Sequence, residues 1–236
     1  DGYAKTMLCG GAEASITELG LGGFTSLKAL SQNPDQNRAS IPFDKERSGF
    51  VLGEGAGILI LEELEQAQKR GAKIYGEILG YGSNCDAFHI TAPMEEGTQA
   101  ARCMELAMKE ANLKPEAIAY INAHGTSTPM NDRCETKAVK LAFGEWSKEL
   151  AMSSTKSMTG HLLGASGAVE SIITTLALKE GYQPATIHYQ QKDSDCDLDI
   201  IPNQGRHVAM NYALSNSLGF GGHNASLLFG KYEEEN

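Results

Sequence analysis

Gly53-Glu54-Gly55-Ala56-Gly57-Ile58-Leu59-Ile60-Leu61 is a glycine-rich turn that runs into an uninterrupted apolar strand, and Gly221-Gly222-His223-Asn224-Ala225-Ser226-Leu227-Leu228-Phe229 repeats that order near the other end of the chain. Each copy is preceded, at a distance, by a strand ending in small residues, Met7 to Ala12 in one case and Ile118 to Gly125 in the other, and by a helix-like stretch. Such an echo predicts two related α/β halves, with the first represented only by its end. Residues 1–82 then form the end of the N-terminal half and residues 83–236 the C-terminal half. The first set of glycines comes before its strand, whereas a dinucleotide fingerprint needs strand, glycines and helix in that order. Tight backbone packing is the reading for them.

Outward from the echo, Met7-Leu8-Cys9 reads as a short buried strand closed by a turn at Gly10-Gly11, and residues 15–30 as a helix interrupted by Gly20, Gly22 and Gly23. The polar stretch 31–47 is longer than most connections, which marks it as a functional or partner-facing loop. A charged helix over 62–70 ends at Gly71, and a strand over 73–81 turns at Gly82-Ser83-Asn84. Residues 97–111 place Ala101, Met104, Ala107, Met108 and Ala111 at helical spacing, a core stripe. Strands at 118–121 and 150–152 alternate with helices at 133–143 and 164–180, the last ended by Gly181. The acidic run Asp193-Ser194-Asp195-Cys196-Asp197 reads as a solvated surface loop, and Tyr212 to Asn216 is a strand that enters the loop 218–224.

At 236 residues, with 41% hydrophobic and 21% charged side chains, the composition is that of an ordinary globular protein and excludes disorder and fibres. A net charge of −10 disfavours nucleic acid and anionic membranes as partners. Five cysteines without a C-x-x-C pair signal neither a disulfide framework nor a zinc site, and point to a reducing, cytoplasmic compartment. No apolar run is long enough for a membrane helix, and Asp1-Gly2-Tyr3-Ala4-Lys5 has no signal-peptide pattern. Because the first residue is not Met and a strand-like run begins almost at once, a truncated chain is expected.

The candidate chemistry lies in two turns. His124 follows the strand 118–121 in Asn122-Ala123-His124-Gly125-Thr126-Ser127-Thr128-Pro129, and Lys156 and His161 follow the strand 150–152 in Ser153-Ser154-Thr155-Lys156-Ser157-Met158-Thr159-Gly160-His161. In an α/β sheet such strand ends face the ligand crevice. Two neutral imidazoles aimed at one point stabilise an oxyanion or enolate, and a nearby lysine keeps them neutral. No nucleophile accompanies them: Cys9 reads as a buried small hydrophobe, Cys103 and Cys134 fall in helix-like stretches, Cys85 is in a turn, and none occupies a small-residue elbow.

Asn122 to Pro129 with Asn131-Asp132, Ser153 to Ala165, and Asn216-Ser217-Leu218-Gly219-Phe220-Gly221-Gly222 together resemble the three C-terminal signatures of the β-ketoacyl-acyl-carrier-protein synthases, most closely the bacterial chain-elongating type II. The resemblance runs in order along essentially the whole chain. It implies a thiolase-like layered α/β/α/β/α fold, in keeping with the echo. It also implies fatty-acid elongation by decarboxylative Claisen condensation of an acyl thioester with malonyl-acyl carrier protein, with no cofactor, in a homodimer. Carried onto this sequence, His124 and His161 bind the malonyl thioester carbonyl and stabilise the enolate, and Lys156 organises the site with Glu170 as its structural partner. Phe220 is the gating aromatic whose N–H joins the oxyanion hole, and Lys28 resembles a carrier-protein contact, while Arg38, Lys45 and Arg47 serve loop pairing. Leu218 and His223 stand where many members have Phe and Thr. The family's cysteine elbow lies upstream of Gly10-Gly11-Ala12-Glu13, so this chain alone is expected to be inactive in condensation. The alternative is a noncatalytic thiolase-fold partner subunit of the chain-length-factor type. Retention of His124, Lys156 and His161 favours the enzyme.

Overall fold

The computed structural model describes residues 3–234. Along the chain the principal elements are β1 (Thr6–Glu13), α1 (Glu18–Ser26), β2 (Gly55–Glu62), α2 (Leu64–Lys69), β3 (Glu77–Cys85), α3 (Thr98–Glu110), β4 (Tyr120–Asn122) and α4 (Pro129–Phe143). They continue with β5 (Ala151–Ser153), α5 (Lys156–Thr159), α6 (Ser166–Glu180), β6 (Tyr182–Gln183), β7 (Arg206–His207), β8 (Tyr212–Gly219) and β9 (His223–Gly230). Pro129 opens α4 where its missing N–H costs nothing, and Gly181, at φ +59°, closes α6 in the left-handed conformation that a helix C-terminus favours.

Four layers result. An antiparallel pair, β1 and β2, packs on α6, whose opposite side lies on a five-stranded sheet ordered β3-β9-β8-β4-β5, and α3 covers the far face of that sheet beside α4. A helix sandwiched between two sheets cannot have one polar face, which is why α6 carries no clear apolar stripe. Its buried positions include Glu170, Ser171 and Thr174 besides Ala177 and Leu178. These are four of the five layers of the expected α/β/α/β/α arrangement.

The sheet's polarity positions the site. β4 lies parallel to both β5 and β8, with Asn122 opposite Ser153 on one side and Ser215 on the other. The segments leaving β4 and β5 and the continuation of β8 through Asn216–Gly219 therefore emerge at the same end of the sheet, so His124, Lys156, His161 and Phe220 follow strands that finish together.

Several expectations change. β1 does not turn at Gly10-Gly11 but runs on to Glu13, antiparallel to β2, with Gly11 opposite Gly57. Nor is it buried: Leu8 (71% exposed) faces outward beside its neighbours Ile58 (61%) and Ile60 (65%), so this face of the pair is apolar and open. The supposed turn Gly82-Ser83-Asn84 is the interior of β3, which pairs with β9 through to Cys85. The division expected at 82/83 thus falls inside a strand that belongs wholly to the larger sheet. The acidic run is exposed at Ser194, Asp195 and Asp197, as expected, but its acids are paired. Asp193 bonds Arg47 at 2.5 Å, Asp197 pairs with Lys140 and Asp195 approaches Arg133, while Cys196 is buried among them. The run is a cation-paired strap across α4.

Gly82 acts by close approach. A Cβ there would lie 1.9 Å from the Cys103 carbonyl oxygen, so α3 rests directly on the β3 backbone. Gly82→Ala is expected to lever the helix off the sheet and to lower stability by about 1–3 kcal/mol or more, the range for overpacked cores. A denaturant titration measures it, and an unchanged midpoint would contradict the packing described.

Candidate active site

The turn after β4 is built around a buried carboxylate. Glu135, on the inner face of α4, accepts the backbone N–H of His124 through Oε1 and that of Gly125 through Oε2, each at 2.8 Å. Asn216 Nδ2 reaches the same Oε1 at 3.3 Å, which ties β8 into the clasp. Gly125 has φ +36°, and a Cβ would fall 2.5 Å from that of Ser154, whose hydroxyl donates to the Gly125 carbonyl at 2.6 Å. Only glycine lets the two turns interlock in this way. His124 is buried as a result, and its Nδ1 has no hydrogen-bond partner among the described residues.

The second turn presents a lysine inward and a histidine sideways. α5 begins at Lys156, which is buried and whose ammonium pairs with the buried Glu170 carboxylate one turn into α6. Beyond Gly160 the chain straightens. His161 N–H donates to Val51 O at 2.7 Å, and Gly53 N–H donates to His161 O at 3.0 Å. The Gly53–Gly57 glycines do pack tightly, and Val51 and Gly53 form a rail for His161. The rings of His124 and His161 meet edge to face with centroids 5.2 Å apart, and Phe50 meets His161 at the same distance from its own centroid.

The proton on His161 can be placed. Leu163 N–H points at Nδ1 from 3.2 Å, and a backbone N–H can only donate, so Nδ1 presents its lone pair and Nε2 carries the hydrogen. Burial first, then Lys156, pushes the His161 pKa down to about 3. The same causes, with His161 added, hold His124 well below its ordinary value. Both imidazoles are thus neutral at physiological pH. Burial drives the Glu170 carboxyl up, to about 7, against the pull of Lys156, and burial also raises Glu135. Two neutral donors beside a buried cation form a site suited to receiving negative charge as it develops on an oxygen.

His124, Lys156, His161 and Glu170 are brought together as expected. Phe220 sits half-exposed on the β8–β9 turn at the same end of the sheet, and the chain of ring contacts from Phe24 through Phe50 to the histidines does not reach it among the described residues. Lys28 is exposed after α1, two residues before Leu30, which bridges to Phe50. The 31–47 loop proves to be a brace. Arg38 pairs with Asp44, Arg47 approaches Asp132 at 3.5 Å, and Phe43 N–H donates to Asp132 at 2.8 Å. Lys45 is joined to this brace only through its backbone N–H, which donates to Gln191 O. Glu135, Ser166 and Phe50 escaped sequence reading. The signal for Glu135 was its spacing: with Asp132 and Val139 it occupies the buried stripe of α4, where an acid is out of place unless it holds something.

Burial raises the thiols of Cys103, Cys134 and Cys196, so none of these is an activated nucleophile. Cys85 is exposed at the end of β3 and Cys9 is partly covered in β1, which replaces the buried position expected for it. Among the described residues no group of three or more His, Cys, Asp or Glu side chains could hold a metal, and no helix is long and apolar enough to cross a membrane.

Comparison with known proteins gives consistent matches. Residues 1–67 match the N-terminal domain of the beta-ketoacyl synthases and residues 75–190 the C-terminal domain. The chain is 57% identical over 234 residues to 3-oxoacyl-[acyl-carrier-protein] synthase 2 of Synechocystis, covering 99% of this chain and 56% of that protein. It is 54% identical over 232 residues to the synthase of the same name from Staphylococcus aureus, covering 98% of this chain and 56% of that one. A solved complex of a type II PKS acyl-carrier protein with its ketosynthase superposes with a TM-score of 0.96 at 44% identity, over 98% of this chain and 57% of the matched one. The chain thus spans a little over half the length of the proteins it matches.

Proposed function

The chain belongs to the β-ketoacyl synthase family, and from that premise we propose that its residues supply the decarboxylating half of the active site in a fatty-acid-elongating 3-oxoacyl-acyl-carrier-protein synthase. The observation that carries the proposal is the pair of neutral imidazoles, edge to face at 5.2 Å, held beside the buried Lys156.

The thioester carbonyl oxygen of malonyl-acyl carrier protein accepts hydrogen bonds from the Nε2–H groups of His124 and His161. The bond from the carboxylate carbon to Cα breaks, carbon dioxide leaves, and the electron pair passes into the enolate whose oxygen the two imidazoles hold. The enolate carbon then attacks the acyl thioester on the nucleophilic cysteine, which the family resemblance puts outside this chain. The cysteine thiolate leaves as the 3-oxoacyl product forms on the carrier. Lys156 contributes a fixed positive charge, and through it the histidines remain donors and do not become acids. Phe220 gates the crevice from the β8–β9 turn and lends its N–H to the second oxyanion. Lys28 meets the acidic carrier protein. The enzyme works as a homodimer in the cytoplasm, where its thiols stay reduced.

Incubating the full-length synthase with an acyl carrier-protein thioester and malonyl-acyl carrier protein should yield one carbon dioxide per 3-oxoacyl product. The 236-residue chain alone should gain no acyl group by mass spectrometry. Acylation at Cys9 or Cys85, or a full-length protein that makes no product, would overturn the reading.

A further inference from the structure

We propose that Ser166, the first residue of α6, is a positioning residue that, together with the Leu163 N–H, keeps the proton of His161 on Nε2. The inference rests on the enolate-binding reading of His161 and adds a residue to it. Ser166 is buried, and its Oγ lies 3.0 Å from both Leu162 N and His161 Nδ1. Leu162 N–H can only donate, so it occupies an acceptor site on the hydroxyl and leaves the hydroxyl proton for His161.

Two donors then converge on Nδ1, the Ser166 hydroxyl and Leu163 N–H at 3.2 Å. Either one disfavours a proton on Nδ1. The hydroxyl is the closer of the two, and it is itself oriented by Leu162. Nε2, the nitrogen free to meet the substrate carbonyl, is therefore the protonated one in the neutral ring. Ser166 and Glu170 are four residues apart, so they lie on one stripe of α6. One helix face thus holds the histidine's orientation through its first residue and the lysine's charge one turn later.

The test uses full-length synthase with isotope-labelled histidine, comparing wild type, Ser166→Ala and Ser166→Thr. Ser166→Ala should convert the ring-nitrogen signature of His161 from the Nε2–H form to a mixture. It should slow carbon dioxide release from malonyl-acyl carrier protein roughly tenfold, less than the ~10²–10³ for loss of a donor itself, and leave KM within about twofold. Its acid limb should move to higher pH, because a hydrogen bond that favours the neutral ring is gone. Ser166→Thr, which keeps the hydroxyl, should restore both signature and rate. An Nε2–H signature in Ser166→Ala identical to wild type would overturn the proposal. A shifted signature with unchanged carbon dioxide release would bear out Ser166 and overturn instead the enolate role of His161.

Discussion

His161→Ala in the full-length synthase should lower carbon dioxide release from malonyl-acyl carrier protein by at least ~10²-fold, the usual consequence of deleting one preorganised oxyanion donor. Three observations give the donor its strength: Nδ1 is occupied by Leu163 and Ser166, the main chain is clamped between Val51 and Gly53, and the ring packs edge to face against His124 and Phe50. A donor fixed this way pays no reorganisation as charge develops, so the loss should appear in kcat more than in KM. Acyl transfer to the enzyme, which forms no enolate, should suffer less and serves as the internal control. The pH dependence has a definite sign. With a pKa of about 3, His161 is neutral at every pH above that value and becomes a cation only as the pH falls through it. The decarboxylation rate should show no acid limb from His161 between about pH 5 and 8. A limb near 6.5 that vanishes in His161→Ala would mean that this ring titrates as an exposed histidine does. Carbon dioxide release by the variant at the wild-type rate would remove His161 from the mechanism.

The residues that the sequence made visible are those whose role is chemical and local. His124, Lys156 and His161 stand out because polar and basic groups among glycine and hydroxyl residues have no packing purpose at a strand end. Glu170 followed from the family resemblance, and the glycine-rich echo identified the layered α/β class. What escaped depends on contacts across the chain. Glu135 is eleven positions from the histidine whose N–H it accepts, and its place on the buried stripe of α4 marks it as unusual without saying what it holds. The strand status of Gly82 was hidden because a glycine that lets a helix touch a sheet has the same letter as one that turns the chain. Burial of β1 was misjudged for a related reason. Met7-Leu8 and Ile58-Leu59-Ile60 have core composition, but one face of that pair meets nothing among the described residues. The acidic run followed the general rule for charge clusters until Arg47 and Lys140, distant in sequence, were found facing it.

Lys156→Met is expected to cost about 3–5 kcal/mol of stability at neutral pH, because it leaves one member of a fully buried ion pair without its partner. With the ammonium gone, Glu170 has no other cation paired with it among the described residues, one of its oxygens already lacks a hydrogen-bond partner there, and burial pushes its pKa up, so it takes a proton on folding. The penalty must therefore shrink as the pH drops toward 4, where the unfolded chain binds the same proton, and Glu170→Gln should recover most of the loss in the Lys156→Met background. Catalysis should not recover with it. Lys156 is a cause of the depressed pKa of both His124 and His161, so in the double variant their pKa values rise and the acid limb of decarboxylation moves to higher pH. In the wild type, a depressed histidine pKa means that the unfolded state binds more protons between about pH 3 and 6.5, so these two rings lower stability as the pH falls through that window. Removing the lysine should flatten this slope. Thermal unfolding across pH, set beside the rate profile, separates the two roles. A double variant that regains both stability and the wild-type acid limb would show Lys156 to be packing alone.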